Sequence, residues 1–199
     1  MSETIIDLIR HGEPVGGRAY RGHNIDDALS EKGWQQMWQA VGDTCPWQHI
    51  ISSPLSRCLS FARALAEDNQ LSIQTEDDLK EVGFGSWEGL TPDQIKTENL
   101  KQYEDFYKDP VNLRPPGAEP LDQFISRVTN CFDKCTTEHS DNHLLIVAHA
   151  GVIRAIIAHA LGAPAPAMYK IKVANAGITR IRIDNNSASL EFINGQLPA

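Results

Sequence analysis

The sequence lacks the features that mark several large classes of protein. Its 18 lysine and arginine residues are outnumbered by 26 aspartate and glutamate residues, for a net charge of −8, and no clustered basic face of a nucleic-acid-binding protein is visible. No stretch approaches the roughly 18 apolar residues of a membrane span. Residues 1–4 have neither the basic region nor the apolar run of a signal peptide. These absences predict a cytoplasmic protein that binds neither nucleic acid nor membranes.

Cysteine is scarce, and its spacing does not resemble that of a metal site. None of the four cysteines forms a Cys-x-x-Cys pair. Cys131 and Cys135 lie four residues apart, on one face of a helix, where a buried thiol pair is favoured over a metal or redox site. This usage fits a reducing cytoplasm, and no metal is predicted.

Short apolar runs alternate with amphipathic stretches through most of the chain. The runs predict strands at 4–9, 49–52, 71–75 and 144–148, and the stretches predict helices at 30–41, 53–65, 120–138 and 152–161, with polar helical pieces across 91–109. Two further strands, at 177–184 and 188–193, are separated by a hairpin signal at Asn185 and Asn186. This order predicts a three-layer α/β/α fold whose mostly parallel sheet has an antiparallel edge strand.

The length and composition bound the number of domains. A chain of 199 residues with 41% hydrophobic residues suffices for one domain spanning 1–199. Residues 83–120 are rich in glycine and proline, and they are the best candidate for a cap-like insertion over one end of the sheet.

Two histidines directly follow two of the predicted strands. His11 comes after the first strand and precedes Gly12, and His149 comes after the strand at 144–148 and shortly precedes Gly151. Ligands of open α/β sheets bind beyond the carboxyl ends of the strands, and glycine lets the backbone approach them closely. A lone histidine there would more often be structural, but two of them point to a ligand site.

Two arginines accompany the histidines. Arg10 adjoins His11, and Arg57 lies just after the second predicted strand. Guanidinium groups can clamp a phosphate with two parallel hydrogen bonds. Taken singly, each arginine would be interpreted as one partner of a surface ion pair. Together with the histidines at the same end of one sheet, they predict an anion site.

Five ordered segments resemble the histidine phosphatase superfamily, which includes the cofactor-dependent phosphoglycerate mutases. The segments are LIRHGE at 8–13, LSEKG at 29–33, SSPLSR at 52–57, LKE at 79–81 followed by FGSWEG at 84–89, and VAHAGVIR at 147–154. The resemblance extends along nearly the whole chain and implies a phosphoglycerate mutase-like fold.

The resemblance implies a role for each of five residues. His11 would attack phosphorus, with its other ring nitrogen held by a backbone carbonyl. Arg10, Arg57 and His149 would surround the phosphoryl oxygens. Glu81 would protonate the leaving oxygen and then take a proton from water, although without the resemblance it reads as a solvated loop carboxylate. No metal or other cofactor is implied, because the arginines supply the positive charge.

The sequence departs from the family pattern in the loop after His11. Gly17 stands where the family often has an asparagine, so one phosphate contact is either missing or supplied by Asn24 from the same loop. Ala150 replaces a usual glycine or serine, and the family's Pro-Gly-Gly-Glu-Ser becomes PGAEP at 116–120.

The short segment after Glu81 is similar to the phosphatases of the family and not to the longer mutases. The loop at 13–30 more loosely resembles α-ribazole-5′-phosphate phosphatases of cobalamin biosynthesis, in which case Arg21 and Gly22 would contact the substrate. Arg21 reads equally well as an exposed loop cation.

Three functional hypotheses follow. The first is a phosphatase on a small phosphorylated metabolite, of narrow or broad specificity, and the second is a mutase that needs a bisphosphate primer. The third is a binding protein with an inactive site, against which the intact set of five residues argues. The sequence carries no signal of oligomeric state.

Overall fold

The computed structural model, which describes residues 3–185 and 187–197, places a six-stranded sheet between helices. The strands are Glu3–Arg10 (β1), His49–Ser52 (β2), Ser72–Thr75 (β3), His143–Ala148 (β4), Ile178–Asp184 (β5) and Ser187–Gly195 (β6). The α-helices are Glu31–Val41 (α1), Ser56–Asn69 (α2), Pro92–Lys108 (α3), Leu121–Glu138 (α4) and Ala150–Ala160 (α5). Within these described residues, no helix combines the length and the apolar character that crossing a membrane requires.

The strand order is β3-β2-β4-β1-β5-β6. The first four strands in this order are parallel, β5 runs antiparallel to β1, and β6 runs antiparallel to β5. The predicted α/β fold with a mostly parallel sheet is therefore confirmed, and the antiparallel strand β5 lies one place in from the edge because β6 covers it. The predicted hairpin signal consists of Asn185 and Asn186. Asn185 has a positive φ of 48°, and Asn186 lies outside the described residues.

Alternation along the central strands divides the core in two. In β4, Leu144 and Ile146 join the apolar cluster that contains α4 and α5, whereas Leu145 and Val147 join the cluster of α1 and α2. Successive side chains of a strand point to opposite faces of the sheet, so helices cover both faces. A strand buried on both faces is the reason why β4 reads as a continuous apolar run.

Two predicted helix starts are corrected by the structure. Helix α2 begins at Ser56, so Pro54 lies ahead of its first turn and not inside it. Helix α5 begins at Ala150, two residues earlier than predicted, because the Ile153 amide already donates to the His149 carbonyl. The Gly151 amide, in the first turn, donates to the Glu81 carboxylate. The predicted N-cap of α1 is present, since the Ser30 hydroxyl accepts from the Gly33 amide at 3.0 Å.

Residues 83–120 carry a small apolar cluster of their own. Trp87, Ile95 and Phe106 are buried in it. The segment is joined to the loop after β1, because the Tyr20 amide donates to the Leu90 carbonyl at 2.9 Å. Separate packing and attachment to a loop agree with a cap-like insertion, which stays a prediction.

A buried charge network links β1 to its neighbours in the sheet. Asp7 is fully buried, and its carboxylate accepts two hydrogen bonds from Arg180, at 2.8 and 2.9 Å, and one from Trp47 at 2.9 Å. His143 lies 2.8 Å from the same carboxylate. Burial alone would raise the pKa of Asp7, but the hydrogen bonds from His143, Arg180 and Trp47 outweigh it and lower the pKa.

Replacing Asp7 with alanine should lower the free energy of unfolding by about 3–5 kcal/mol, because it leaves the buried Arg180 charge without a partner. Replacing Glu191 with alanine should lower the free energy of unfolding by about 1 kcal/mol or less, because its ion pair with Arg182 is partly exposed. Urea unfolding of both variants measures the difference. Equal losses would contradict the importance of the buried network.

Candidate active site

Parallel pairing of β1 and β4 brings the two predicted histidines together. Arg10 is the partner of Ala148 in the register, so His11 and His149 leave their strands at the same edge of the sheet. The His11 amide donates to the Ala148 carbonyl at 3.0 Å. The two imidazole rings meet edge to face, with their centroids 5.2 Å apart.

The imidazole of His11 has one tautomer. Its Nδ1 lies 2.7 Å from the carbonyl oxygen of Gly12, and because a carbonyl only accepts, Nδ1 carries the hydrogen and Nε2 keeps a free lone pair. Burial, and then the charges of Arg10 and Arg57, lower the pKa of His11 well below its ordinary value of 6.5. A neutral ring with a free Nε2 can act as a nucleophile at neutral pH.

His149 is fully buried behind His11 and is not among the residues that line the adjoining cavity. Its Nε2 lies 2.8 Å from the Ser53 hydroxyl, and the Cys58 thiol is 3.6 Å away. Burial, followed by the charges of Arg57 and His11, lowers the pKa of His149 well below 6.5. Both histidines are therefore neutral at pH 7.

Arg10 and Arg57 line the cavity with guanidinium groups that backbone carbonyls hold in place. Arg10 donates to Val173 at 2.7 Å, and Arg57 donates to Gly22 and Ile25 at 2.8 Å each. The Nε of each arginine is buried and has no hydrogen-bond partner among the described residues. Buried unpaired donors are costly, so these groups favour binding of an anion.

Glu81 lines the same cavity, and the start of α5 holds its carboxylate. Oε2 accepts from the Gly151 amide at 3.2 Å, and Oε1 accepts from the Val82 amide at 3.0 Å. A Cβ atom at position 151 would lie only 2.3 Å from Oε1, so glycine is required for this approach. The sequence His149-Ala150-Gly151 therefore provides both a buried histidine and the room for a carboxylate.

The cavity has a volume of about 660 Å³, within the range of small-molecule sites. Its walls combine positive charge with aromatic surface. Besides the residues already described, it is lined by Arg18, Arg21, Arg154, Tyr20, Phe84, Tyr107 and Tyr169.

Arg21 and Gly22, the predicted substrate contacts, both line the cavity. Arg21 is nearly buried, which excludes the alternative of an exposed cation. Two of its donors bind its own loop, through Asp27 at 2.8 Å and the Val15 carbonyl at 2.7 Å. Arg21 therefore shapes the loop that forms this wall.

Asn24, the predicted substitute for a missing phosphate contact, is exposed and does not line the cavity. Its backbone N–H donates to the carboxylate of Glu88, which is also outside the cavity lining. Gly17 does line the cavity but offers no side chain. The structure thus shows no side chain at either position that could make the expected contact.

Arg154 and Tyr107 are two of the cavity residues that sequence reasoning missed. Arg154 lies four residues after Ala150 on α5, and both line the cavity, so helical spacing was an available signal for Arg154. Tyr107 of α3 reaches the cavity beside Tyr20, with the two hydroxyl oxygens 2.6 Å apart. No local pattern relates two residues that lie 87 positions apart.

One group of residues within the described ranges has the donors of a metal site. The donor atoms of Glu76, Cys131 and Cys135 lie within 4.8 Å of one another. The Glu76 carboxylate already binds Lys134 at 3.1 Å and Gln74 at 2.7 Å. Both thiols lie on α4 and are buried in the apolar core. None of the three lines the cavity, so the group belongs to the packing of α4.

Comparison with known proteins identifies the family. A sequence model of the histidine phosphatase superfamily (branch 1) matches residues 6–196. The chain belongs to this superfamily. The adenosylcobalamin/alpha-ribazole phosphatase of Escherichia coli (strain K12) is 28% identical over 193 residues, which are 95% of each chain. The crystal structure of a putative alpha-ribazole-5′-P phosphatase from Escherichia coli matches with a TM-score of 0.83 and 28% identity, over 96% of each chain.

Other relatives of this histidine phosphatase superfamily member are longer. The bifunctional protein Rv2228c of Mycobacterium tuberculosis is 30% identical over 181 residues, which are 88% of this chain and 49% of that protein. The chain therefore spans about half the length of such curated relatives. The resemblance inferred from the sequence motifs, and the phosphoglycerate mutase-like fold it implied, are confirmed.

His11 and His149 should stay neutral as the pH is lowered through 6.5, because their pKa values lie well below it. The same imidazoles take up protons near pH 6.5 in the unfolded chain, so the free energy of unfolding should fall as the pH falls below that value. NMR of the ring nitrogens, assigned with His11→Asn and His149→Asn, measures both titrations. A midpoint at or above 6.5 for either ring would contradict this prediction.

Proposed function

We propose that the protein is a phosphomonoesterase that forms a phosphohistidine intermediate on His11. The observation that carries the proposal is a neutral His11 with a free Nε2 beside a cavity on which Arg10 and Arg57 converge. Membership of the superfamily and the phosphatases among its relatives support it.

In the first step, Nε2 of His11 attacks phosphorus and the bond to the ester oxygen breaks. Arg10 and Arg57 stabilise the charge on the phosphoryl oxygens, as arginines do in other phosphoryl transfers. His149 would lie beside the phosphoryl group, because its ring packs edge to face with that of His11.

Glu81 completes the cycle as acid and then base. It donates a proton to the departing ester oxygen and takes one from the water that attacks the phosphohistidine. The P–N bond breaks, inorganic phosphate leaves, and His11 returns to its neutral form. Ester and water are thereby converted to alcohol and phosphate.

Replacing His11 with alanine should abolish both phosphoenzyme labelling and phosphate release, because no other nucleophile takes its place. Glu81→Gln should still be labelled by an aryl phosphate but should turn over about 10²- to 10⁴-fold more slowly. Acid-labile incorporation of labelled phosphate and release of phosphate provide the two measurements.

The matched control for this experiment is His159→Ala, which removes an exposed histidine of α5 that pairs with Asp133. It should change neither labelling nor turnover. Retained turnover in His11→Ala would overturn the proposed nucleophile.

We further propose α-ribazole 5′-phosphate as the substrate. The adenosylcobalamin/alpha-ribazole phosphatases among the relatives support this choice. The cavity supports it as well, because Tyr20, Phe84 and Tyr107 are among its lining residues and give it aromatic surface against which a base attached to the ribose could pack.

The substrate proposal predicts that the aromatic base contributes to turnover. The value of kcat/KM for α-ribazole 5′-phosphate should exceed that for ribose 5-phosphate by about 10- to 100-fold, the range expected from stacking one base on aromatic side chains. Tyr107→Ala should reduce this ratio and leave ribose 5-phosphate hydrolysis nearly unchanged. Steady-state kinetics on both substrates provide the measurement.

Two other results, one from these two substrates and one from phosphoglycerates, would support the alternative functions. Equal kcat/KM values for the two ribose phosphates would replace the α-ribazole proposal with a broad-specificity phosphatase. Phosphate transfer between phosphoglycerates that requires a bisphosphate primer, without release of phosphate, would indicate a mutase.

A further inference from the structure

One ion pair outside the cavity holds the segment that carries Glu81. Arg127 of α4 binds Glu119, in the loop before α4, through two hydrogen bonds of 2.7 and 3.0 Å. The two side chains are only 20% and 13% exposed. A bidentate arginine–carboxylate pair of this kind has a defined geometry, so it can act as a fixed support.

Arg127 also binds the backbone on the N-terminal side of Glu81. Its Nη1 donates to the carbonyls of Asp78 and Lys80, at 2.5 and 2.9 Å, and its Nη2 donates to the Glu81 carbonyl at 3.3 Å. Apart from the short 3₁₀ turn Asp77–Leu79, this stretch has no regular secondary structure. A single guanidinium group therefore binds three backbone carbonyls of the segment that leads into Glu81.

Glu119 binds the backbone on the C-terminal side of Glu81. Its carboxylate accepts from the Gly83 amide at 3.0 Å, and its own amide donates to the Gly83 carbonyl at 3.1 Å. A Cβ atom at position 83 would lie 2.7 Å from the His23 ring, so glycine lets this ring pack closely against the segment. Burial raises the pKa of Glu119, but the hydrogen bond from Arg127 outweighs it and keeps the pKa low, so Glu119 is charged at neutral pH.

The Glu81 carboxylate has one hydrogen-bond partner in this segment and one on α5. Its own hydrogen bonds are to the amides of Val82, in the supported segment, and Gly151. Neither Arg127 nor Glu119 lines the cavity, so neither can contact a substrate there. Stabilising α4 would not by itself require these two side chains to bind three carbonyls and an amide of residues 78–83.

We propose that the Arg127–Glu119 ion pair positions Glu81 for proton transfer to the leaving group and from water. This inference rests on the proposed phosphatase function. It makes Arg127 and Glu119 positioning residues that act through the backbone of residues 78–83.

The choice of leaving group separates this role from general structural support. An alkoxide must be protonated as it leaves, whereas p-nitrophenolate is a stable anion that leaves without help from an acid. Because kcat/KM reports only the steps up to formation of the phosphoenzyme, it depends on the acid role of Glu81 for an alkyl phosphate and hardly at all for p-nitrophenyl phosphate.

The experiment compares Arg127→Met with the wild-type protein on ribose 5-phosphate and p-nitrophenyl phosphate. For ribose 5-phosphate, kcat/KM should fall about 10- to 100-fold, the cost of a misplaced catalytic group. For p-nitrophenyl phosphate, kcat/KM should change little, and phosphohistidine should accumulate because water is activated poorly. Arg127→Lys and Glu119→Gln should show smaller changes of the same kind.

The matched control is Lys134→Met, on the same helix. Lys134 also pairs with a carboxylate from the segment before Glu81, that of Glu76, but binds no backbone carbonyl around Glu81. This variant should leave both kcat/KM values unchanged.

Equal losses on both substrates in Arg127→Met, or no loss on ribose 5-phosphate, would overturn the positioning role. If Arg127→Met does not fold, as judged by thermal unfolding, Arg127→Lys and Glu119→Gln decide by the same comparison. Absence of phosphohistidine and of phosphate release in the wild-type protein would instead refute the proposed function.

Discussion

The parallel pairing of β1 with β4 is the constraint on which the candidate site depends. It places Arg10 opposite Ala148, and both strands end there, so His11 and His149 emerge side by side. The register is specified by burial on both faces of the sheet. A shift of one residue would turn the apolar side chains of β4 toward the wrong helices, which ties the placement of the two histidines to the stability of the core.

Charge is distributed unevenly over the molecule. The chain carries a net charge of −8, yet five arginines line one cavity: Arg10, Arg18, Arg21, Arg57 and Arg154. Burial and the charges of Arg10 and Arg57 together lower the pKa values of His11 and His149. The same surroundings favour an anionic ligand, so the conditions for binding an anion and for keeping these imidazoles neutral have a common physical origin.

The site is built from two kinds of structure. Its floor, which includes Arg10, His11, Arg57 and Gly151, comes from strand ends and from the first turns of α2 and α5. The sheet holds these elements in place. Its walls come from the loop after β1 and from residues 83–120, which meet where the hydroxyl groups of Tyr20 and Tyr107 pair. In the proposed function, the floor carries the chemistry and the walls select the substrate. Glu81, the proposed acid and base, is the exception because it lies on an irregular segment, and Arg127 and Glu119 bind the backbone of that segment.

The sequence alone determined the fold class and most of the candidate site residues at the strand ends. Arg10, His11 and His149 could be found because each lies at or directly after the end of a buried strand, and the local apolar pattern marks those ends. Glu81 could be found only through the family resemblance, since nothing local distinguishes a carboxylate in an irregular segment. The tertiary structure alone decided that Asn24 lies outside the cavity lining, that Tyr107 and Arg154 reach the cavity, and that Arg127 binds the backbone carbonyls beside Glu81. The physical reason is that these placements depend on hydrogen bonds to backbone groups and on contacts between distant segments, neither of which leaves a periodic pattern in the sequence.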